Sequence, residues 1–260
     1  MGASFTDSER QAYDRDGYVV RSNVFSSNEL ATITRACEDL IADLVADRQE
    51  ARRHRVGSYV FDPDLTHGTM IKWEGDSDVV HGIEPFAHLC DTLNECASDA
   101  RLIDPMRDMV PSDTPVLFTE KLNLKRPEHG GANPLHQDYP YWVDVAEVPE
   151  EVATAMIFLD DSTLANGCLH VVPGSHQLGK WQTRADGDAF LANEIDTDAY
   201  PDVIPQPLEA SAGTVVFFGP FLAHTSAPNT SARERRALLY SYQPPGRRHM
   251  LDVLRRLNKS

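Results

Sequence analysis

The chain has 260 residues, of which 41% are hydrophobic and 25% charged, and its formal net charge is −16. These values are typical of a globular protein with a sizeable core, and the length suits one β-sandwich or barrel with added helices. The strong acidity argues against a nucleic-acid-binding surface, which is basic, and leaves no polybasic patch for an anionic membrane.

Targeting and redox signals are weak. The N-terminal sequence has no basic segment followed by an apolar one, and no apolar run reaches the roughly 18 residues that span a bilayer. The four cysteines are scattered without a C-x-x-C motif, which is typical of reduced thiols in the cytosol. We therefore expect a cytoplasmic protein, a monomer or homodimer, with no nucleic-acid or membrane partner.

Residues 1–110 are predicted to form a helical N-terminal part. Thr6 can cap a short first helix, and Ser26 with Glu29 forms a capping box that begins a second helix of roughly 20 residues. The apolar positions of the second helix recur at spacings of three and four, which predicts one face packed on a sheet. They are Leu30, Ile33, Cys37, Leu40, Ile41 and Leu44.

The next stretch has a less regular pattern. Residues 70–73 form a candidate strand, and residues 86–109 look helical with a break at Pro105. His67, His81 and His88 are expected at the surface.

From residue 115 onward the pattern changes to strands separated by turns. The predicted strands are 116–125, 135–139, 154–159, 167–172, 214–218, 222–225 and 235–243. They do not alternate with helices, which favours an antiparallel double sheet such as a jelly roll. The predicted fold is mainly β with flanking helices (α+β), with a cupin-like jelly-roll core at 115–245. One domain is expected to span 1–260.

A polar connection follows the predicted strand at 167–172. It runs from residue 177 to residue 208, which is long for a compact domain and is typical of a lid or binding loop.

Three residues predict a metal site. His136-Gln137-Asp138 lies in the predicted strand at 135–139, where positions i and i+2 point to the same face. His224 follows a later apolar strand and is the candidate third ligand. Two histidines and one carboxylate leave open coordination positions, a set that suits non-haem Fe(II).

Arg235 supplies a candidate anion anchor. It begins an apolar strand, and its planar guanidinium suits the distal carboxylate of a 2-oxoglutarate cosubstrate. Ser226 and Asn123 can add hydrogen bonds to the same molecule. Arg233 and Arg236 flank Arg235 and compete for the assignment; Arg236 should face the opposite side of the strand, whereas Arg233 lies nearer the turn.

Several motifs together resemble those of one family. These are His136-Gln137-Asp138, Asn166-Gly167-Cys168-Leu169, Pro173-Gly174-Ser175-His176, His224-Thr225-Ser226 and Arg235, and the resemblance covers roughly residues 17–243. The pattern resembles the phytanoyl-CoA dioxygenase family of Fe(II)- and 2-oxoglutarate-dependent oxygenases, which have a double-stranded β-helix fold. The resemblance implies O2 as co-reactant, succinate and CO2 as products, and ascorbate as the reductant in assays.

The same resemblance implies roles for individual residues. It implies His136, Asp138 and His224 as iron ligands and Arg235 with Ser226 as cosubstrate contacts. Lys121 and Asn123 are similar to the strand that lines the cosubstrate pocket in ectoine hydroxylases, and Trp142 resembles an aromatic residue of that subgroup. The family includes halogenases in which a small residue replaces the carboxylate ligand, so the presence of Asp138 favours hydroxylation.

The substrate and the reaction outcome stay open at this point. Candidate substrate contacts are Tyr139, Tyr141, Lys72 and His129. The expected reaction is hydroxylation of an unactivated C–H bond in a natural-product or amino-acid-like small molecule. The alternatives are desaturation, epimerisation or cyclisation by the same centre, an acyl-CoA hydroxylase, a zinc hydrolase, or a jelly-roll protein that binds a metal or ligand without turnover.

Overall fold

The computed structural model describes residues 3–47, 53–56, 59–75, 77–184 and 193–257. Within these ranges the α-helices are α1 (Asp7–Asp16), α2 (Ser27–Ala46), α3 (Asp91–Ala97), α4 (Ala100–Met109), α5 (Tyr139–Trp142) and α6 (Met250–Leu257). The first strands are β1 (Tyr18–Arg21), β2 (His54–Val56), β3 (Tyr59–Asp64), β4 (Thr69–Glu74), β5 (Val80–Glu84), β6 (Val116–Lys125) and β7 (Asn133–His136). The later strands are β8 (Ala153–Phe158), β9 (Leu169–Val171), β10 (Gln206–Leu208), β11 (Val215–Phe218), β12 (His224–Ser226) and β13 (Arg235–Gln243).

Two antiparallel sheets form the core of the described structure. The large sheet has the order β1-β11-β8-β13-β6-β5-β4-β3-β2, and the small sheet has the order β10-β9-β12-β7. Sequence neighbours are often not spatial neighbours, as expected for a jelly roll rather than a simple meander. The prediction of a mainly β double-sheet fold with flanking helices is confirmed.

The two N-terminal helices begin as their sequences predict. The hydroxyl of Thr6 accepts a hydrogen bond from the Glu9 amide, and Ser26 and Glu29 form the same reciprocal capping box at α2. Gly17 ends α1 with a φ of 86°, a left-handed conformation that glycine adopts without the strain of a Cβ. Contacts that are local in sequence therefore define both ends of α1 and the start of α2.

Helices α2 to α4 cover the outer face of the large sheet. All six predicted apolar positions of α2 are buried in one cluster with side chains of β8, β11 and β13. Tyr240 and Tyr242 of β13 reach across to this layer and donate hydrogen bonds to the carbonyls of Leu93 and Ala97, both at 2.8 Å. The helices cover the outer face of the large sheet, and its inner face lines a cavity.

Three predictions about local structure are wrong. The described residues between 54 and 84, in the part predicted as helical, form four strands, β2 to β5, which extend the large sheet beyond β6; only the strand at 70–73 was expected. Pro105 lies inside α4, and the break falls instead at Asp99, whose carboxylate caps the Arg101 amide at 2.8 Å. The strand predicted at 135–139 ends at His136.

The long connection after residue 177 is described only in part, since residues 185–192 fall outside the described ranges. Its described end returns to the small sheet, where the Ile195 amide donates to the carbonyl of Leu135 at 2.9 Å. No helix in the described part of the chain combines the length and apolarity needed to cross a bilayer.

Candidate metal centre

Strand pairing brings the two predicted histidine ligands together. His136 is the last residue of β7 and His224 the first of β12, and the two are partners in the antiparallel register. Their ring centroids lie 4.2 Å apart. The small sheet therefore fixes this pair through backbone hydrogen bonds rather than through side-chain contacts alone.

Asp138 joins the histidines for a different reason than the one predicted. It lies beyond the end of β7 with helical backbone angles (φ −70°, ψ −29°), immediately before α5. Pro140 lies in the first turn of α5, a position that favours helix initiation. The carboxylate thus reaches the centre from a turn, not from the face of a strand.

The donor atoms of the three residues converge. One ligand atom from each of His136, Asp138 and His224 lies within 4.8 Å of the others, and His136 Nε2 is 3.9 Å from an Asp138 oxygen. The Nδ1 of His136 is 2.7 Å from the carbonyl of Pro134, and that of His224 is 2.9 Å from the carbonyl of Leu222. Both Nδ1 atoms therefore donate to backbone oxygens, which leaves both Nε2 lone pairs free to bind a metal.

Electrostatics keep the centre in its ligand-competent protonation state. Burial, reinforced by the neighbouring His224, lowers the pKa of His136 to about 3, so its imidazole is neutral. Burial opposes the charge of Asp138, but the ammonium of Lys121 and the two imidazoles together lower the pKa of that carboxyl. Two imidazoles whose Nε2 atoms face one carboxylate form a donor set that fits a divalent iron ion and leaves other positions open.

Gln137 holds the turn between the two ligands, a role that the sequence pattern did not reveal. It is fully buried, and its amide nitrogen donates to the carbonyls of Gly179 and Phe221 at 2.8 and 2.7 Å. Its oxygen accepts from the Trp181 amide at 2.8 Å. The side chain between two ligands is therefore tied to three backbone groups behind the small sheet.

The centre opens into a cavity of about 440 Å³ between the two sheets. The polar row of β6 lies on its wall, since Lys121 and Asn123 line it together with Arg235 of β13. These residues share a face because Ala237 pairs with Asn123 and Leu239 with Lys121 across the same two strands.

Arg235 is a buried cation beside this centre. Its side chain is 2% exposed, and its Nε and Nη2 donate to the carbonyl of Gly167 at 3.2 and 2.9 Å. In the described ranges no carboxylate forms an ion pair with it, and burial lowers its pKa to about 10. Arg233 is exposed, whereas Arg236 pairs with Asp160 and Glu38 on the helix side. Of the three arginines, only Arg235 is positioned to meet an anion in the cavity.

Further polar groups surround the space between Arg235 and the ligands. Ser226 lines the cavity, and its oxygen accepts a hydrogen bond from Asn133 at 3.1 Å. Lys121 Nζ is 3.9 Å from a Glu84 oxygen and 5.6 Å from the centre of the Trp142 ring. Burial opposes the charge of Lys121, yet Glu84 and Asp138 raise its pKa, so the ammonium stays protonated.

The predicted substrate contacts divide into two groups. Tyr141 lies on the cavity wall, with its ring edge-on to His136 at 5.6 Å, and Lys72 lines the same cavity. Tyr139 does not, because it stacks on Phe221 and donates to Glu150 at 3.0 Å. His129 is exposed in a turn and does not line the cavity.

The prediction of a surface position for His81 is also wrong. Its side chain is 1% exposed, and its Nδ1 lies 2.6 Å from a carboxylate oxygen of Glu74. The partner lies on the neighbouring strand β4, so the contact forms across the antiparallel pair of β4 and β5. Of the other two, His88 is exposed as expected and His67 is half-buried beside Asp64 at 2.8 Å.

Several wall residues were missed by the sequence patterns. They are Phe61, Gly82, Glu84, Asn133, Glu194 and Met250. Most come from strands or segments whose sequences have no clear periodicity, so only the topology shows that they face the cavity. The sequence alone gives one indication of this wall, because Lys72 and Glu84 are charged residues within otherwise largely apolar strands.

Comparisons with known proteins agree with this geometry. The sequence model of the family described as Phytanoyl-CoA dioxygenase (PhyH) matches residues 13–237. L-proline trans-4-hydroxylase of Streptomyces griseoviridis is 32% identical over 65% of this chain and 69% of its own length. The 2-aminoethylphosphonate dioxygenase of uncultured bacterium HF130_AEPn_1 is 35% identical over 49% of this chain and 45% of its own length.

A solved structure shares the fold over most of the chain. The crystal structure of EctD from S. alaskensis with 2-oxoglutarate and 5-hydroxyectoine superposes with a TM-score of 0.72 at 23% identity. The superposition covers 93% of this chain and 77% of that one. At this identity the likeness establishes the jelly-roll architecture.

Proposed function

We infer, from the premise that this chain belongs to the phytanoyl-CoA dioxygenase family, that it is an Fe(II)- and 2-oxoglutarate-dependent dioxygenase that hydroxylates a small molecule. The observation that carries this proposal is one cavity in which His136, Asp138 and His224 converge beside the buried cation Arg235. A metal-binding triad alone serves many functions, but the adjacent cation suits a carboxylate cosubstrate in particular. We assign the activity to a single domain.

The three converging side chains would hold the iron. His136 and His224 would bind through Nε2, because each Nδ1 donates to a backbone carbonyl, and Asp138 would bind through one carboxylate oxygen. When iron, 2-oxoglutarate and O2 are bound, such a centre supplies oxidation of an unactivated C–H bond, coupled to decarboxylation of 2-oxoglutarate to succinate and CO2. The task of the protein is to position the two substrates around this centre.

Arg235 would bind the distal carboxylate of 2-oxoglutarate, assisted by the hydroxyl of Ser226. Its desolvated guanidinium gains a counter-charge when the cosubstrate enters, which strengthens the interaction relative to one in water. Asn123 and Trp142 also line the cavity and would contact the cosubstrate chain. Arg235 acts by binding and orientation and transfers no proton.

Apolar side chains would keep water from the reacting bond. Met156, Leu169, Phe218 and Leu239 line the cavity and belong to one buried cluster between the sheets. A wall without hydrogen-bonding groups there favours exclusion of solvent around a reactive centre. Asp138 as a ligand also occupies the position that a halide would need, which favours transfer of oxygen.

The cavity favours a small substrate over an acyl-CoA. Its 440 Å³ lies at the lower end of the range for ligand sites, and both cosubstrate and substrate must share it. Asp144 and Glu194 add carboxylates to its wall, and the chain as a whole carries −16 charges. Since a CoA nucleotide is polyanionic, this environment repels it.

The proposal is tested by 2-oxoglutarate turnover in the purified protein. Fe(II), ascorbate, 2-oxoglutarate and a library of amino-acid-like and natural-product substrates are supplied, and succinate is measured with and without O2. We expect succinate above the substrate-free background for at least one compound, with a product that gains one oxygen atom. Loss of two hydrogens, inversion without mass change or ring formation would identify desaturation, epimerisation or cyclisation instead.

A His224→Ala variant is the matched negative control, because it removes one ligand from the end of a surviving strand. Succinate that forms equally in this variant, or equally without O2, would contradict the proposed function. A substrate transformed without O2 or 2-oxoglutarate would instead identify a metal-dependent hydrolase.

A further inference from the structure

A row of paired residues crosses the large sheet at the far side of the cavity. Phe61 pairs with Lys72, Lys72 with Gly82 and Gly82 with Asn123, on strands β3, β4, β5 and β6. All four residues line the cavity. Paired residues of adjacent strands point to the same face, so Lys72 stands in the same row as the proposed cosubstrate contact Asn123.

Gly82 keeps the space between Lys72 and Asn123 open. A Cβ at Gly82 would lie 2.8 Å from the backbone oxygen of Leu122 and 3.4 Å from the side-chain oxygen of Asn123. The close approach of the two strands therefore requires glycine at this position. Gly82 therefore leaves a gap in this row of residues, between the aliphatic part of the Lys72 side chain and the side-chain amide of Asn123.

Lys72 lies well away from the proposed cosubstrate anchor. Arg235 is on β13, and Lys72 is on β4, three strand spacings away in the same sheet. At about 4.8 Å per spacing, the two backbones are separated by ~14 Å. A 2-oxoglutarate molecule anchored by Arg235 and directed at the iron ligands does not extend across this distance, so Lys72 faces a different part of the cavity.

The surroundings of Lys72 resemble those of an anion-binding lysine. Its Nζ lies 5.7 Å from the centre of the Phe61 ring, and it is half-buried at the cavity wall. Burial, and then the nearby ammonium of Lys121, lower the pKa of Lys72 to about 7, although Glu74 and Glu84 act in the opposite direction. An entering anion would compensate for both burial and the second cation, and would thus bind preferentially to the protonated form.

We propose that Lys72 determines substrate specificity by binding a carboxylate or phosphonate group of the small molecule that is oxidised. This proposal rests on the proposed function, because it assigns Arg235 to the cosubstrate and leaves Lys72 for the second substrate. The anion of the substrate lies in the gap above Gly82, and the rest of the molecule extends toward the iron ligands. The 2-aminoethylphosphonate and proline named in two relatives are compounds of this size and charge.

The test is anaerobic calorimetry on protein loaded with Fe(II) and 2-oxoglutarate, where binding occurs without turnover. The carboxylate probe is L-proline and its uncharged counterpart is L-prolinamide; the phosphonate probe is 2-aminoethylphosphonate and its counterpart is ethanolamine. Each is titrated into wild-type protein and into Lys72→Met, Lys72→Arg and Lys180→Met variants. Lys180 is an exposed lysine outside the cavity and controls for loss of one positive charge.

We expect at least one anionic probe to bind wild-type protein more tightly than its counterpart. Lys72→Met should weaken that anion by about 10- to 100-fold, the effect of losing a hydrogen bond to a charged group, and should leave the counterpart's affinity within about twofold. Lys72→Arg, which keeps a positive charge at this position, should retain the preference for the anion. The proline and phosphonate arms distinguish the two anions.

Three results would overturn this proposal. They are equal binding of an anion and its counterpart by wild-type protein, failure of both anions to bind, and an unchanged anion preference in Lys72→Met. The wild-type measurements alone decide the first two, so a misfolded variant cannot hide the answer. Failure of wild-type protein to bind Fe(II) and 2-oxoglutarate in the loading step is separate, because it would refute the proposed function itself.

Discussion

Replacing Arg235 with methionine is expected to weaken the binding of 2-oxoglutarate while leaving the ligand-free protein folded. Methionine keeps a long apolar stem in the buried site but removes the guanidinium. Truncating one partner of a buried, hydrogen-bonded charge pair costs about 2–5 kcal/mol. That range corresponds to a ~30- to ~4000-fold weaker affinity for 2-oxoglutarate, since each 1.4 kcal/mol is about tenfold.

The same substitution should have a small effect on the ligand-free protein, because two contributions oppose each other. Burial lowers the pKa of the Arg235 guanidinium to about 10, so removing this cation relieves a desolvation cost. Its loss also leaves the Gly167 carbonyl without the two hydrogen bonds from Nε and Nη2, which costs about 1–3 kcal/mol. We therefore expect a melting temperature close to that of the wild type without 2-oxoglutarate.

Thermal unfolding with and without 2-oxoglutarate separates these effects. A ligand present at about 100 times its Kd stabilises a protein by roughly 2.7 kcal/mol, which raises the melting temperature by several degrees. Wild-type protein and Arg233→Met should both show this rise. Arg233 is two residues from Arg235 in sequence, but it is exposed and does not line the cavity. Arg235→Met should show at most about a third of this rise at the same concentration, because even a ~30-fold weaker affinity leaves a stabilisation of only about 0.9 kcal/mol. A full rise in Arg235→Met, or its loss in Arg233→Met, would refute the assignment of the anchor.

Three further predictions concern the ligands, the turn that holds them and an acid-sensitive ion pair. Asp138→Ala should abolish succinate formation and lower metal affinity by more than the ~10- to 100-fold typical of losing a supporting hydrogen bond, as measured by the metal retained after dialysis. Gln137→Leu removes the partner of three backbone groups, one buried and two partly buried, and should lower the free energy of unfolding by about 3 kcal/mol in urea titrations, with weaker metal retention; unchanged stability would contradict its role. The Arg21 hydrogen bond holds the pKa of Glu9 at about 2 in the folded chain, below its ordinary 4.5, so this stabilisation is complete above pH 4.5 and lost as the pH falls toward 2. Glu9→Gln should therefore reduce stability by about 1 kcal/mol at pH 6 and by less near pH 3, and an equal loss at both pH values would exclude this pair.

Length and composition made two strands of the core predictable. The predicted bounds of β6 and β13 match the structure, because β6 alternates between two faces and β13 is a long, mostly apolar run. Of the candidate site residues on them, Arg235 was predicted from its place at the start of this run, whereas Lys121 and Asn123 depended also on the resemblance to the family. His224 also lines the cavity as expected, because it begins a short strand after a glycine–proline turn.

Non-local pairing accounts for most of what the sequence did not reveal. Strands β3 to β5 contain proline, glycine and acidic residues, and they are stabilised chiefly by pairing with β6 and with one another. The contact of His81 with Glu74 depends on the register of the pair β4 and β5, which could not be predicted because β5 itself was not. The orientations of Tyr139 and His129 were wrong because each lies in a helix or turn, where strand parity gives no information.

The two neighbouring arginines at the start of β13 limit how this enzyme can evolve. Arg235 faces the cavity, whereas Arg236 pairs with Asp160 and with Glu38 of α2 on the opposite face. A single insertion or deletion in this strand would exchange the two faces, so it would remove the proposed anion anchor and break the helix contact at once. The length of β13 is therefore constrained as strictly as the identity of Arg235. New substrate preferences are expected to arise on β3 to β5, where Lys72 lies and which contain none of the three proposed iron ligands.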